Sequence, residues 1–231
     1  MDIHGLQKTT LLDFPGHVAC TLFTGGCNFR CPYCHNGNLA LHPAQTPVLS
    51  EKELFAFLKK RQGILEGVCI SGGEPTLADD LEDFIRRLRD MGFPVKLDTN
   101  GYRPEVLIRL CEQGLLDYVA MDIKHSRRQY HTIAGIADFD LSRICASVDF
   151  LLHSDIPYEF RTTLTAELHD TDAIQDIGQW LRGARAYYLQ AYRDSDFVPV
   201  DGFHAPDRET LSAYQRLLLP MIPNTMLRGV D

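Results

Sequence analysis

Short apolar runs alternate with longer stretches in which apolar residues recur every three or four positions, and the alternation persists along nearly the whole chain. The runs Val18–Phe23, Val68–Ser71, Val95–Asp98, Tyr118–Met121, Tyr158–Thr163 and Ala186–Gln190 read as strands. Helical periodicity occupies residues 51–61, 77–91, 104–113, 140–153, 171–182 and 206–219. Ser50 with Glu53 has the spacing of a capping box ahead of the first helix. Pro104 and Gly114 bracket the third, as start and stop signals do. About six βα units in succession imply an α/β fold with a parallel sheet, because parallel neighbours need crossover helices. Such a sheet is either open and doubly wound or curled into an incomplete barrel, since six units are too few for the eight-stranded barrel. No second domain, low-complexity linker or short-period repeat interrupts the pattern, so a single domain over residues 1–231 is expected.

In either architecture functional side chains gather where strands end. The first apolar run leads into Cys27, Cys31 and Cys34, and the second into Ser71-Gly72-Gly73-Glu74-Pro75. The third ends in Asp98-Thr99-Asn100-Gly101 and the fourth in Asp122-Ile123-Lys124, while Arg161 and Gln190 stand near the ends of the last two. Polar, chemistry-capable residues at the same end of every unit point to one site.

The C-x₃-C-x₂-C loop is the most specific of these signals. Three thiolates this close can hold three irons of a [4Fe–4S] cluster, which ordinarily takes four cysteines. With no fourth cysteine nearby, one iron is left open to bind a ligand. Zinc is the rival, but a structural zinc site wants four ligands, and His35 adjoins Cys34 too closely to complete a tetrahedron. Paired glycines at 72 and 73 serve either a turn or the close approach of a backbone to a ligand, and Glu74 beside them could accept from an ammonium group. Asp98 and Asp122 suit hydroxyls or a hard cation, or else cap helices or pair with Lys124. Lys124 lies on the Asp122 face of an extended segment and either binds a carboxylate or is a surface lysine, and the planar fork of Arg161 serves either a carboxylate ligand or a structural ion pair. Asp13-Phe14-Pro15-Gly16 reads as a type II turn before the first predicted strand.

Composition narrows the setting. The 231 residues carry 23 Lys plus Arg against 31 Asp plus Glu, a net charge of −8 that disfavours nucleic acid or an anionic membrane as a partner. No apolar stretch approaches the roughly 18 residues of a membrane span, and Met1–Thr10 lacks the pattern of a signal peptide. Seven cysteines, three clustered and Cys20, Cys69, Cys111 and Cys145 scattered, do not form a secreted disulfide framework. A cytoplasmic setting is expected, with the scattered cysteines as small buried residues.

Taken together, the Cys27–Cys34 spacing, the aromatic Tyr33 and Gly72-Gly73-Glu74-Pro75 resemble the radical S-adenosylmethionine superfamily. More narrowly, CPYCHN, SGGEPTL, LDTNG, MDIK and the N-terminal GLQKTTLLDFPG resemble glycyl-radical-enzyme activating proteins, the nearest group being those of anaerobic ribonucleoside-triphosphate reductase. The resemblance implies a partial (β/α)₆ TIM-like barrel with parallel strands. It implies a [4Fe–4S] cluster on Cys27, Cys31 and Cys34, and S-adenosylmethionine chelated at the open iron and cleaved to a 5′-deoxyadenosyl radical. That radical would abstract the Cα hydrogen of a glycine in a partner protein, with a reduced flavodoxin or ferredoxin as electron donor. Carried over, Tyr33 lies beside the adenine, and Gly72, Gly73 and Glu74 hold the methionine amino end. Asp98, Thr99, Asn100 and Asp122 stand near the methionine carboxylate, where a monovalent cation can be shared. Lys124, Arg161 and Gln190 face the cofactor. The chain departs from many activating enzymes in lacking an arginine after Asp13-Phe14-Pro15-Gly16, and no auxiliary cluster is expected. Two other functions stay open: a radical enzyme acting on a small molecule, such as a deazapurine-forming synthase, and a non-catalytic iron–sulfur electron carrier.

Overall fold

The computed structural model describes residues 1–230. The chain divides into two compact units, one built from Met1–Asn28, Asn36–Thr99 and Arg103–Val119, the other from Phe29–His35, Asn100–Tyr102 and the chain from Ala120 onward.

In the first unit β1 (Ile3–Thr10) runs antiparallel to β2 (Ala19–Thr24), and the helices α1 (Gly37–Leu41) and α2 (Glu51–Arg61) follow. Next come β3 (Gly67–Gly72), α3 (Leu81–Asp90), β4 (Val95–Thr99) and α4 (Pro104–Glu112), with β3 parallel to both β2 and β4. β2 and β3 are buried along most of their length, which is why they read as continuous apolar runs and not as alternating ones. α3 buries Leu81, Phe84, Ile85 and Leu88, a stripe at helical spacing that leaves its charged residues outside. The Asp13–Gly16 expectation holds: His17 N donates to Phe14 O at 3.1 Å, and Gly16 takes the φ of +79° that a type II turn demands there. Pro104 opens α4, and Gly114, at φ +64°, stands just past its end. Ser50 precedes α2 as expected, but its side chain makes no capping hydrogen bond, so the capping box is a sequence pattern without the bond.

β5 (Tyr118–Asp122) leads into the second unit, which continues with α5 (Tyr130–Ala134), α6 (Leu141–His153), β6 (Tyr158–Leu164), α7 (Thr171–Trp180), β7 (Tyr187–Ala191), α8 (Arg208–Leu218) and β8 (Thr225–Arg228). β6, β7 and β8 are mutually parallel in chain order. Three helices start on an aspartate whose carboxylate accepts from a first-turn amide: Asp140 from Ser142 N, Asp170 from Ala173 N and Asp207 from Thr210 N.

Within the first unit β1 to β4 are neighbours in chain order, as are β6 to β8 in the second, and β1/β2 is the antiparallel exception among the described pairings. All six expected strands are present, as β2 to β7. β1 and β8 were not expected, nor were α1 and α5. The helix expected over 77–91 begins later, at Leu81, because Pro75–Leu77 forms a separate 3₁₀ turn.

Candidate functional site

In the first unit the ends of β2 and β3 are fastened to each other. Gly73 N donates to Thr24 O at 2.9 Å and Glu74 N to Gly26 O at 2.8 Å. Asn36, just past the cysteine loop, donates its side-chain amide to Gly72 O at 2.9 Å. The chain leading into the loop and the chain leaving it are thus both tied to Gly72–Glu74. A Cβ on Gly73 would stand 1.9 Å from Gly26 O, and one on Gly72, at φ +119°, 2.3 Å from Thr24 N. The glycines therefore permit backbone to pack on backbone, a use that the sequence reading did not separate from ligand approach.

Glu74 is buried, and its Oε1 accepts from Thr76 N at 3.1 Å, Thr76 Oγ1 at 2.5 Å and Thr99 Oγ1 at 2.7 Å. It caps the 3₁₀ turn and links the end of β3 to the end of β4. Asp98 forms an ion pair with Lys96, which is 1% exposed and lies over the Tyr118 ring with Nζ 5.9 Å from its centroid. Lys96 was missed in the sequence. Its signal was there, because Lys96 and Asp98 alternate with Val95 and Leu97 and so share one face of β4.

In the second unit the Cys31–Cys34 turn is closed by a hydrogen bond from Cys34 N to Cys31 O at 3.2 Å. Tyr33 is buried and donates its hydroxyl to Lys124 O at 3.0 Å, while its ring meets those of His169 and Phe203 edge-on. Asp122 accepts from Lys124 Nζ at 3.1 Å on one oxygen and from Arg161 Nε at 2.9 Å on the other. Burial works against the charge of Asp122, but the Arg161 and Lys124 cations outweigh it and hold the carboxyl far below the usual range. Lys124 is the mirror case. Burial opposes its charge, the Asp122 carboxylate and the nearby Cys31, Tyr33 and Cys34 groups favour it, and its pKa ends well above that of an ordinary lysine. Asp122, Lys124 and Arg161, read separately in the sequence, are one bonded group.

Asn100 is buried and accepts from Tyr102 N at 2.9 Å, which makes it a turn former beside Gly101 at φ +74°. Gln190 donates to Thr163 Oγ1 at 3.3 Å. The sequence reading also passed over His125 and His169. Both are 2% exposed, and their rings stack with centroids 4.9 Å apart. Burial, with the neighbouring His125, pushes the His169 pKa down to about 4, and burial lowers that of His125 as well.

All seven cysteines stand outside any disulfide; Cys31 is buried, and Cys27 and Cys34 are partly exposed. Cys20 and Cys69 are buried as expected, whereas Cys111 and Cys145 are partly exposed. His35 is exposed, and among the described residues no three His, Cys, Asp or Glu side chains converge as a ready cage for a single metal ion. The donor chemistry of the loop fits an iron–sulfur cluster: three thiols outside any disulfide, within eight residues, on a segment anchored at both roots in the first unit.

Residues 21–180 match the Radical SAM superfamily. The chain is 30% identical, over 99% of its length and 96% of the relative's, to a Methanocaldococcus jannaschii protein provisionally assigned as a glycyl-radical enzyme activating enzyme. It is 25% identical to the pyruvate formate-lyase 1-activating enzyme of Escherichia coli K12, over 94% of each chain. A GTP 3′,8-cyclase from Nautilia profundicola is 29% identical over 65% of this chain and 48% of its own. Among solved structures, Streptococcus suis SuiB superposes with a TM-score of 0.69 at 13% identity, covering 90% of this chain and 48% of that one, a likeness of fold that agrees with the expected α/β class. With the match covering well over half of its residues, the chain belongs to the Radical SAM superfamily.

Proposed function

We propose that this protein is a glycyl-radical enzyme activating enzyme that takes a Cα hydrogen from a glycine of a partner polypeptide. We place an anaerobic ribonucleoside-triphosphate reductase as the partner and a reduced flavodoxin or ferredoxin as the electron donor. The observation that carries the activating reading is the extent of the likeness. It spans 96% and 94% of the two activating relatives, against 48% of the cyclase.

The superfamily uses a [4Fe–4S] cluster and S-adenosylmethionine, which when bound supply an electron and a carbon–sulfur bond whose reductive cleavage yields methionine and a hydrogen-abstracting 5′-deoxyadenosyl radical. The chain's own task is to hold, orient and exclude water. Cys27, Cys31 and Cys34 would ligate iron, and Cys31 and Cys34 lie in a turn whose shape is set by hydrogen bonding. Gly72, Gly73 and Glu74 would hold the methionine amino end, with Thr99 donating to Glu74 and keeping its carboxylate in place. Lys124 and Arg161 supply partly buried positive charge for the methionine carboxylate, which would share them with Asp122. Tyr33 would flank the adenine, and Asn100 and Gln190 complete the polar set at strand ends. Asp98 is already neutralised by Lys96, and Asp122 by Lys124 and Arg161, so charge balance calls for no monovalent cation at either carboxylate.

The test is anaerobic cluster reconstitution followed by reduction with S-adenosylmethionine and the candidate reductase. A glycyl-radical EPR signal that depends on this protein is the expected result. Cofactor cleavage without that signal across plausible partners would favour the second reading, a radical enzyme acting on a metabolite, for which the likeness to a GTP cyclase speaks. No cleavage at all would leave only an electron carrier. Cys31→Ala should abolish cleavage, and its survival would overturn the cluster assignment.

A further inference from the structure

Lys124 is gripped at both ends. Its ammonium meets Asp122, and its carbonyl oxygen accepts two hydrogen bonds, from Tyr33 Oη at 3.0 Å and from His169 Nε2 at 3.1 Å. Because that nitrogen lies against a carbonyl, it must carry the proton. The other ring nitrogen, Nδ1, faces the Thr165 amide at 3.2 Å and accepts from it. His125 has the same arrangement, with Nε2 2.7 Å from Leu168 O and Nδ1 accepting from Ser126 N at 2.8 Å. Two neutral histidines, stacked and buried, thus lace the segment after β5 to the segment after β6. α8 joins them through Tyr214, whose hydroxyl donates to His169 O at 2.9 Å. The turn carrying Tyr33 is held from a second direction as well, by Val200 N donating to Pro32 O at 3.1 Å and by the Phe203 ring.

A buried carbonyl with two donors is more tightly oriented than a carbonyl with one, and losing either donor frees a torsion that the rest of the site depends on. Solvent does not compete at His169, where the ring is 2% exposed. None of these atoms belongs to a group that sequence reasoning assigned to the cofactor apart from Tyr33 and Lys124, which the clamp joins. We infer that His169, backed by His125, is a positioning residue: through the shared Lys124 carbonyl it fixes together the Lys124 ammonium and the Tyr33 turn of the cysteine loop, and so sets the affinity for an S-adenosyl cofactor. This rests on the activity proposed above.

The experiment measures reductive cleavage of S-adenosylmethionine by the cluster-loaded protein without any partner, together with equilibrium binding of S-adenosylhomocysteine. His169→Leu should raise KM and the binding constant about five- to tenfold, the size of one lost hydrogen bond, with kcat within about twofold. His169→Gln, whose amide N–H can reach the same carbonyl, should recover most of the loss. Tyr33→Phe should weaken binding comparably. The double variant Y33F/H169L should match the worse single variant and not the product of the two, because a clamp released at one end has little left to lose at the other. Multiplying effects, or a His169→Gln protein as impaired as His169→Leu, would show that the ring merely packs and would overturn the clamp. A wild-type protein that cleaves no cofactor would overturn the proposed activity and the clamp with it. Wild-type cleavage with an unaffected H169L would remove the clamp alone.

Discussion

A buried neutral histidine leaves a thermodynamic mark that can be read without any cofactor. His169 titrates near pH 4 in the fold and near 6.5 when exposed, because burial and the adjacent His125 both disfavour its charge. Above pH 6.5 the ring is neutral in both states and contributes no pH dependence. Between 6.5 and 4 the unfolded chain takes up a proton that the folded one refuses, so stability falls as pH falls, levelling off below about 4. The full loss is roughly 3 kcal/mol, because each tenfold difference in proton affinity between the two states is worth about 1.4 kcal/mol. Urea unfolding of the wild type should therefore show a falling midpoint over this window, and His169→Gln a clearly shallower fall. Equal slopes would mean that the ring is protonated in the fold. His125 lies in contact and moves in the same direction, so part of the slope will remain. Neither histidine could be picked out from the sequence. Nothing local marks HSRR or LHDT as special, and what buries these rings comes from residues some 45 positions away. Lys96 was hidden for a related reason, since a lysine in a strand is ordinarily on the surface.

At the scale of elements, what was legible followed the cost of leaving apolar surface in water. β2 to β7 announce themselves because strands buried on both faces must be apolar throughout. β1 does not: Gln7, Lys8 and Thr9 are exposed on a strand that pairs antiparallel, so its pattern is that of a polar edge. β8 spans four residues with one buried, too short for any period to show. The Gly72–Gly73 pair was legible as a motif but not as a joint. Gly73→Ala tests the joint. Its Cβ would sit 1.9 Å from Gly26 O, backbone against backbone, so β3 and the root of the cysteine loop must separate. The expected outcome is a loss of several kcal/mol in denaturant titration, on the order of the larger core defects, with reduced iron uptake on reconstitution. Full stability and iron content would mean that the roots can shift freely. Asp207→Ala, which removes the cap of α8 at Thr210 N, should lower the unfolding midpoint measurably and leave iron content unchanged.

At the scale of the whole molecule, the question is whether the cluster would be part of the architecture or a guest in it. Small metal-dependent domains bind their metal with folding free energy and unfold without it, because too little apolar surface is buried otherwise. Here each unit has its own apolar interior. Leu22, Ile70, Leu97 and Ile85 have no exposed surface in the first, nor do Phe160, Leu164, Ile177 and Tyr187 in the second. The loop roots, too, are tied by backbone bonds and the Asn36 amide, not by the cysteines. Stripping iron with a chelator under reducing conditions should therefore abolish the sulfur-to-iron charge-transfer absorbance and all cofactor cleavage. The far-ultraviolet circular dichroism should stay, and unfolding should remain cooperative with a midpoint lowered by only a few degrees, the shift of about 1 kcal/mol in a chain of this length. An iron-free protein without a cooperative transition at 25 °C would make the cluster structural. If the transition survives, the three thiols serve chemistry, and the fold was built to present them.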